Sequence, residues 1–177
     1  LQPALKKSGR SLTVAVYKNT SIIALWPGVH LSLYGVAVDV GSTTVAAHLC
    51  DLSSGEVLAS ASMMNPQIRF GEDLMSRVSY VMMHPEGAAE MTGIIRDALN
   101  DLFTQVAKQV KGSVEDILEI TLVANPIMHH LLLGIDPVEL GGAPFALTTD
   151  AAIEVPAREL DLHINHGGRL YGLPCIA

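Results

Sequence analysis

Residues Tyr34–Leu52 read YGVAVDVGSTTVAAHLCDL, two apolar, strand-like runs separated by an acidic residue and a glycine turn. Val36, Ala37 and Val38 lead into Asp39; Gly41-Ser42-Thr43-Thr44 turn the chain; Val45, Ala46, Ala47 and Leu49 resume the apolar pattern. A β-hairpin of this kind can hold backbone N–H groups and hydroxyls against a phosphate, because glycine allows close approach and successive amides form an anion nest. A bare carboxylate repels phosphate, so Asp39 is expected to reach a magnesium-bound water. The same string also reads as an ordinary hairpin turn of small polar residues, and the string alone leaves both readings open.

Outward from this hairpin the pattern is that of an α/β chain. Tyr34–Val40, Thr43–Leu52 and Glu56–Met63 form an antiparallel meander, the last two joined by Ser53-Ser54-Gly55. A first helix is expected over Glu72–Met83 and a second after His84-Pro85, with the proline at its first position. In the second, Met91, Ile94, Ile95, Ala98, Leu99, Leu102, Phe103, Val106 and Val110 recur at three- and four-residue spacing, so it is long and amphipathic, ended by Gly112. Ser113 opens a short turn, and Ile117–Val123 is a buried strand whose carboxyl end carries Asn125 to a sheet edge where ligands gather. Pro126 starts a short helix to Leu133, closed by Gly134; Ala152–Val155 and Arg169–Leu173 are further strand candidates. Upstream, Leu12–Tyr17 and Ser21–Leu25 flank a Lys18-Asn19-Thr20 turn, a hairpin that could equally add to the edge of the main sheet. Residues 1–10, with Lys6, Lys7 and Arg10, read as a linker.

Composition narrows the partners. Apolar residues make up 49% of 177, enough for a core, and the formal charge of −7 argues against nucleic acid as a general partner. Charged and turn residues break every long apolar stretch, and no signal peptide is visible, so a cytoplasmic protein without a membrane span is expected. Cys50 and Cys175 lie outside any Cys-x-x-Cys pattern and read as buried free thiols; two cysteines cannot supply the four ligands of an iron–sulfur cluster. His129 and His130 point about 100° apart on a helix, which favours one buried and one exposed histidine over a shared metal. His163 and His166 read as a solvated loop.

The Asp39–Thr44 string resembles the first phosphate loop of the acetate kinase/sugar kinase/Hsp70/actin superfamily, which joins the first two strands of a ribonuclease H-like (actin-like ATPase) domain. Asn65-Pro66-Gln67, Gly71-Glu72-Asp73 with Ser76-Arg77, Ala124–Leu131 and Leu140–Phe145 then resemble, in order, the reductive activators of corrinoid proteins. The resemblance runs from about Leu12 to Ala177; Pro126 departs from it, since many relatives carry threonine there, so no hydroxyl role is carried over. It implies a mixed sheet with flanking helices over residues 34–177, forming the first half of an ATPase domain. Residues 1–33 would be a linker and the end of a small middle domain.

The resemblance further implies Mg-ATP as cofactor, with Asp39 holding Mg²⁺ through water and Gly41, Ser42, Thr43, Thr44, Asn65, Gln67 and Asn125 at the nucleotide. Arg69 and Arg77 could balance Glu72 and Asp73 across a helix start. The partner implied is a corrinoid methyl-transfer protein, returned from cob(II)alamin to cob(I)alamin by an electron from a [2Fe–2S] ferredoxin-like domain not contained in this stretch; a homodimer is left open. The start at Leu1 and the apolar stop at Ala177 read as a segment of a longer protein, and with one phosphate loop it is expected to bind ATP weakly if at all. A small-molecule kinase of the same superfamily, with Asp73 as catalytic base, and a non-catalytic partner-binding module are the alternatives.

Overall fold

The alternation of Val36, Val38 and Val40 against Ala37 and Asp39 gives one strand a buried face and an open face, and the fold is organised around it. The computed structural model describes residues 11–175, so the linker reading of residues 1–10 lies outside the described residues. In chain order the elements are β1 (Leu12–Tyr17), β2 (Ser21–Pro27), β3 (Tyr34–Val40), β4 (Thr44–Asp51), β5 (Val57–Met64), α1 (Leu74–Met83), α2 (Gly87–Gln109), β6 (Ile117–Ala124), α3 (Pro126–Leu133), β7 (Ile153–Pro156) and β8 (Arg169–Gly172). Short 3-10 turns cover Pro66–Phe70, Val114–Asp116, Val138–Gly141 and Ala157–Leu160.

β3 to β8 form one mixed sheet in the order β5-β4-β3-β6-β8-β7. β3, β4 and β5 are antiparallel neighbours; β6 lies parallel to β3, β8 parallel to β6, and β7 closes the edge antiparallel to β8. A meander continued on the far side of its first strand by parallel strands is the ribonuclease H-like arrangement, so the expected α/β class and sheet type are what the chain adopts. The side chains of Val36, Val38, Val40, Val45, Ala47, Leu49, Ile120, Leu122 and Leu170 join those of α2 and α3 in one core. From α2, Met91, Ile95, Leu99, Leu102, Phe103 and Val106 are fully buried in it. Each such side chain contributes about 1.5–3 kcal/mol by leaving water.

α3 is only eight residues long, too short to be stable alone, and α2 braces its carboxyl end. Thr92 Oγ1 donates to Leu131 O at 2.6 Å and Arg96 Nε to Leu132 O at 3.0 Å, satisfying carbonyls that a helix end leaves free. The first helix starts at Leu74, two residues later than the expected Glu72, and both ends of α2 also differ from the sequence reading. Pro85 precedes α2 in a turn closed by Gly87 N–H on His84 O at 2.9 Å, so the helix starts two residues after the proline. At its far end Lys111, not Gly112, takes the left-handed conformation at φ 54°, while Gly112 N–H reaches back to Ala107 O at 2.9 Å.

β1 and β2 form a separate two-stranded sheet and do not add to the edge of the main one. Trp26 and Pro27 extend β2 beyond the expected end. Polar contacts fasten this hairpin to the body. Lys18 pairs with Glu154 of β7, the Arg169 guanidinium of β8 sits 5.3 Å over the Tyr17 ring, and His30 Nε2 lies 2.9 Å from Asp116 Oδ1. The Trp26 ring stacks on His30 with centroids 4.4 Å apart. Trp26 is the sole tryptophan, so its emission reports the docking of the hairpin. His30→Ala should shift that emission to the red and raise its accessibility to iodide while far-ultraviolet circular dichroism stays unchanged. Unaltered emission would show that docking does not pass through the His30–Asp116 contact.

Candidate functional site

The turn between β3 and β4 is tight: Gly41 N–H donates to Thr44 O at 3.0 Å, and a Cβ on Gly41 would stand 2.7 Å from that same oxygen. Only glycine fits there. Beneath the turn lie two fully buried side chains, Asn65 and Arg77. Asn65 Nδ2 donates to Gly41 O at 2.8 Å, Asn65 N–H donates to Thr43 O at 2.7 Å, and Arg77 Nη2 donates to Ser42 O. A trans peptide sets its N–H opposite its C=O. With the Gly41 and Ser42 carbonyls held from the buried side, the N–H groups of Ser42 and Thr43 face outward. Two successive amides pointing the same way, beside the hydroxyls of exposed Thr43 and Thr44, make the concave donor surface an anion requires.

Asp39 lies two residues before Gly41 on the open face of β3, exposed, opposite Ala46 of β4 and Val123 of β6. An exposed carboxylate next to outward amides suits a hydrated divalent cation better than direct contact with an anion. Among the described residues no group of three or more His, Cys, Asp or Glu side chains could hold a metal ion directly. The glycine cradle and this donor set fit Mg²⁺ with a phosphate.

Register places Asn125 beside the turn. Val40 pairs with Ala124 across the parallel β3–β6 ladder, so Gly41 and Asn125 are the next residues at adjacent carboxyl ends. Asn125 Oδ1 accepts from Met128 N–H at 3.0 Å and so caps α3, with Pro126 in its first turn. Its cap role is present in the structure and its position at the edge is compatible with a second one.

Asn65 and Gln67 do not sit where a direct grip on a cofactor would put them. Asn65 Oδ1 accepts from Gln67 N–H at 2.9 Å, Gln67 Nε2 donates to Met91 O at 3.0 Å, and both side chains are shut off from solvent. They support the loop from inside, because proline between them fixes the 3-10 turn that turns both side chains inward. Asp73 is likewise committed: its Oδ1 accepts from Ser76 N–H at 2.8 Å as the amino-terminal cap of α1. The hydrogen bonds from Ser76, with a lesser pull from Arg77, hold its carboxyl below the ordinary range. The cap occupies one carboxylate oxygen, and the lowered pKa disfavours proton uptake by Asp73.

The balance of Arg69 and Arg77 against Glu72 and Asp73 is not formed either. Arg69 lies 4.8 Å over the Phe70 ring, and Arg77 is buried under the turn. Arg77 is the site residue that sequence reading missed. A signal existed: it falls with Leu74, Val78 and Val81 at three- and four-residue spacing on the apolar stripe of α1, where a surface arginine has no place.

Both histidines of α3 are buried, against the expectation of one exposed. His130 Nδ1 lies 2.8 Å from Pro126 O and its Nε2 lies 3.1 Å from Thr148 N. His129 has no hydrogen-bond partner at either ring nitrogen, and burial followed by the nearby His130 pushes its pKa below the ordinary 6.5. His163 and His166 are exposed as expected; Cys175 is buried and Cys50 half-buried, both free thiols.

The depressed His129 pKa sets a pH dependence. Below about pH 6.5 the unfolded chain binds this proton before the folded chain does, so stability is complete above that value and declines as pH falls toward the folded pKa. His129→Leu should flatten the slope of unfolding free energy against pH on the acid side of 6.5, measured by urea titration. A slope identical to that of the unaltered chain would show that His129 does not stay neutral in the folded protein.

Comparisons with known proteins bear on the family and the fold. The family model described as the RACo middle region matches residues 34–177. The corrinoid activation enzyme RamQ of Eubacterium limosum is 35% identical over 144 residues, covering 81% of this chain and 24% of that protein. The solved structure of a reductive activator for corrinoid, iron-sulfur protein superposes with a TM-score of 0.85 at 31% identity, covering 98% of this chain and 28% of that one. The chain thus spans about a quarter of the length of these relatives.

Proposed function

The chain belongs to the RACo middle region family, and from that premise we propose that it forms the first phosphate-binding half of the ATP site of a reductive activator of corrinoid proteins. The observation that carries this reading is the pair of buried donors, Asn65 and Arg77, on the Gly41 and Ser42 carbonyls, with Asp39 exposed beside the turn. In this reading the Gly41–Thr44 turn grips phosphate through its N–H groups and hydroxyls, Asp39 orients Mg²⁺ through water, and Asn125 borders the nucleotide from the next strand. ATP bound there supplies the drive for an electron transfer that is uphill at the low potential of the cob(II)/cob(I) couple.

The single electron comes from a [2Fe–2S] cluster in another part of the intact protein, since Cys50 and Cys175 cannot ligate one. Closure of the two halves of the ATP site changes how the corrinoid methyl-transfer protein docks. The setting is cytoplasmic. No helix among the described residues is long and apolar enough to cross a membrane, which is compatible with it.

Asp39→Asn tests the reading, because it removes a charge that acts only toward the cation while leaving an exposed position otherwise unchanged. In the intact protein it should abolish ATP-dependent reduction of the corrinoid partner, followed by the loss of the cob(II)alamin absorption band, and keep the melting temperature within error. Normal ATP turnover in this variant would return the Asp39–Thr44 string to an ordinary hairpin turn.

A further inference from the structure

Arg77 presents a charge problem that its hydrogen bonds do not solve. Its side chain is fully buried, and among the described residues no carboxylate lies within ion-pair distance of it. Nε donates to Gly71 O at 3.0 Å, Nη2 to Ser42 O, and Nη1 faces Gln67 Oε1 at 3.5 Å and the Met128 sulfur at 3.1 Å. These acceptors satisfy N–H groups but none carries a formal charge. Asp73, the carboxylate that acts on Arg77 from its own helix, is exposed and held by the α1 cap. A buried cation without a counter-ion is costly, and the free energy must be offset by whatever the position provides.

The geometry shows what that is. Gly71 allows the chain to close on α1, since a Cβ there would stand 2.6 Å from Ser76 Cβ, and this brings Gly71 O to the guanidinium. The planar fork then spans two carbonyls, Gly71 O behind and Ser42 O in front, as a lysine ammonium could not do with the same rigidity. On the far side of the Ser42–Thr43 peptide is the outward N–H surface. We propose that Arg77 is a positioning residue of the phosphate loop: it locks the Ser42–Thr43 peptide with its N–H outward and keeps a positive charge directly behind the anion. Its counter-ion is the polyphosphate itself, which never touches it. This rests on the reading of the turn as a phosphate site.

The test uses the intact protein and three probes titrated by calorimetry: Mg-ATP, tripolyphosphate with Mg²⁺, and adenosine. Arg77→Met, which keeps bulk and loses charge and fork, should weaken tripolyphosphate and Mg-ATP by about tenfold or more. Adenosine affinity should change less than twofold, and the dependence of polyphosphate affinity on salt should become shallower. Arg77→Lys should fall between Met and the unaltered protein, because it returns the charge without the two-carbonyl bridge. If Arg77→Met does not fold, Arg77→Lys carries the test by the ratio of tripolyphosphate to adenosine affinity, which should drop severalfold.

Equal losses for all three probes, or tripolyphosphate affinity unchanged in Arg77→Lys and Arg77→Met, would overturn the proposal. The parent reading fails separately. Tripolyphosphate that binds the unaltered protein in an Arg77-dependent way, with no binding of Mg-ATP, removes the nucleotide and leaves the positioning role in place. No binding of either polyphosphate to the unaltered protein overturns both.

Discussion

β3 is hydrogen-bonded on both sides, antiparallel to β4 and parallel to β6, and the site follows from that one constraint. The antiparallel side forces a tight turn at Gly41–Thr44, and the parallel side delivers Asn125 to the same edge. Because side chains alternate along the strand, the register that buries Val36, Val38 and Val40 also leaves Asp39 on the open face. A slip of one residue would bury the carboxylate and expose three valines. The core therefore enforces the position of Asp39 more strongly than any contact of Asp39 itself.

Beneath the turn the support is polar and buried. Asn65, Gln67 and Arg77 lie in the protein interior with their donors directed at backbone oxygens and at the Met128 sulfur. Interior polar groups of this kind are favourable only when nearly all their hydrogen bonds are made, and such networks specify one arrangement in place of several. Here the arrangement specified is the direction of two loop peptides. Met128 is a suitable neighbour, because a thioether is a soft acceptor that fills space without competing for the charge.

Much of this was legible in the sequence. The long apolar repeat of α2 and the alternation in β3 and β4 give helix and strand by periodicity alone, and the same pattern puts Gly41 at a turn and Asn125 at a strand end. What sequence could not give was the direction of side chains around irregular backbone. Asn65 and Gln67 look like ligand contacts because they are polar and follow a strand, but the 3-10 turn started by Pro66 aims them inward. Arg77 reads as a surface charge unless its place on the helical stripe is weighed above its identity. The αL position at Lys111 was given to the adjacent glycine for the same reason, residue preference being read where tertiary packing decides. The burial of both α3 histidines follows from the bracing of that helix by α2 and the 148 segment, which no local pattern announces.

The supports of the turn have an uneven distribution along the chain. Gly41, Asn65, Gln67, Gly71 and Arg77 fall within a single stretch of fewer than forty residues, whereas Asn125 and Met128 arrive some fifty residues later, beyond the whole of α2. In folding, short loops close at lower entropic cost and sooner than long ones. The meander with α1 can thus assemble the Gly41–Thr44 turn from neighbouring chain, while the edge contributed by Asn125 must await the parallel pairing of β6. One half of the candidate site is thus built from local contacts and the other from a long-range pairing.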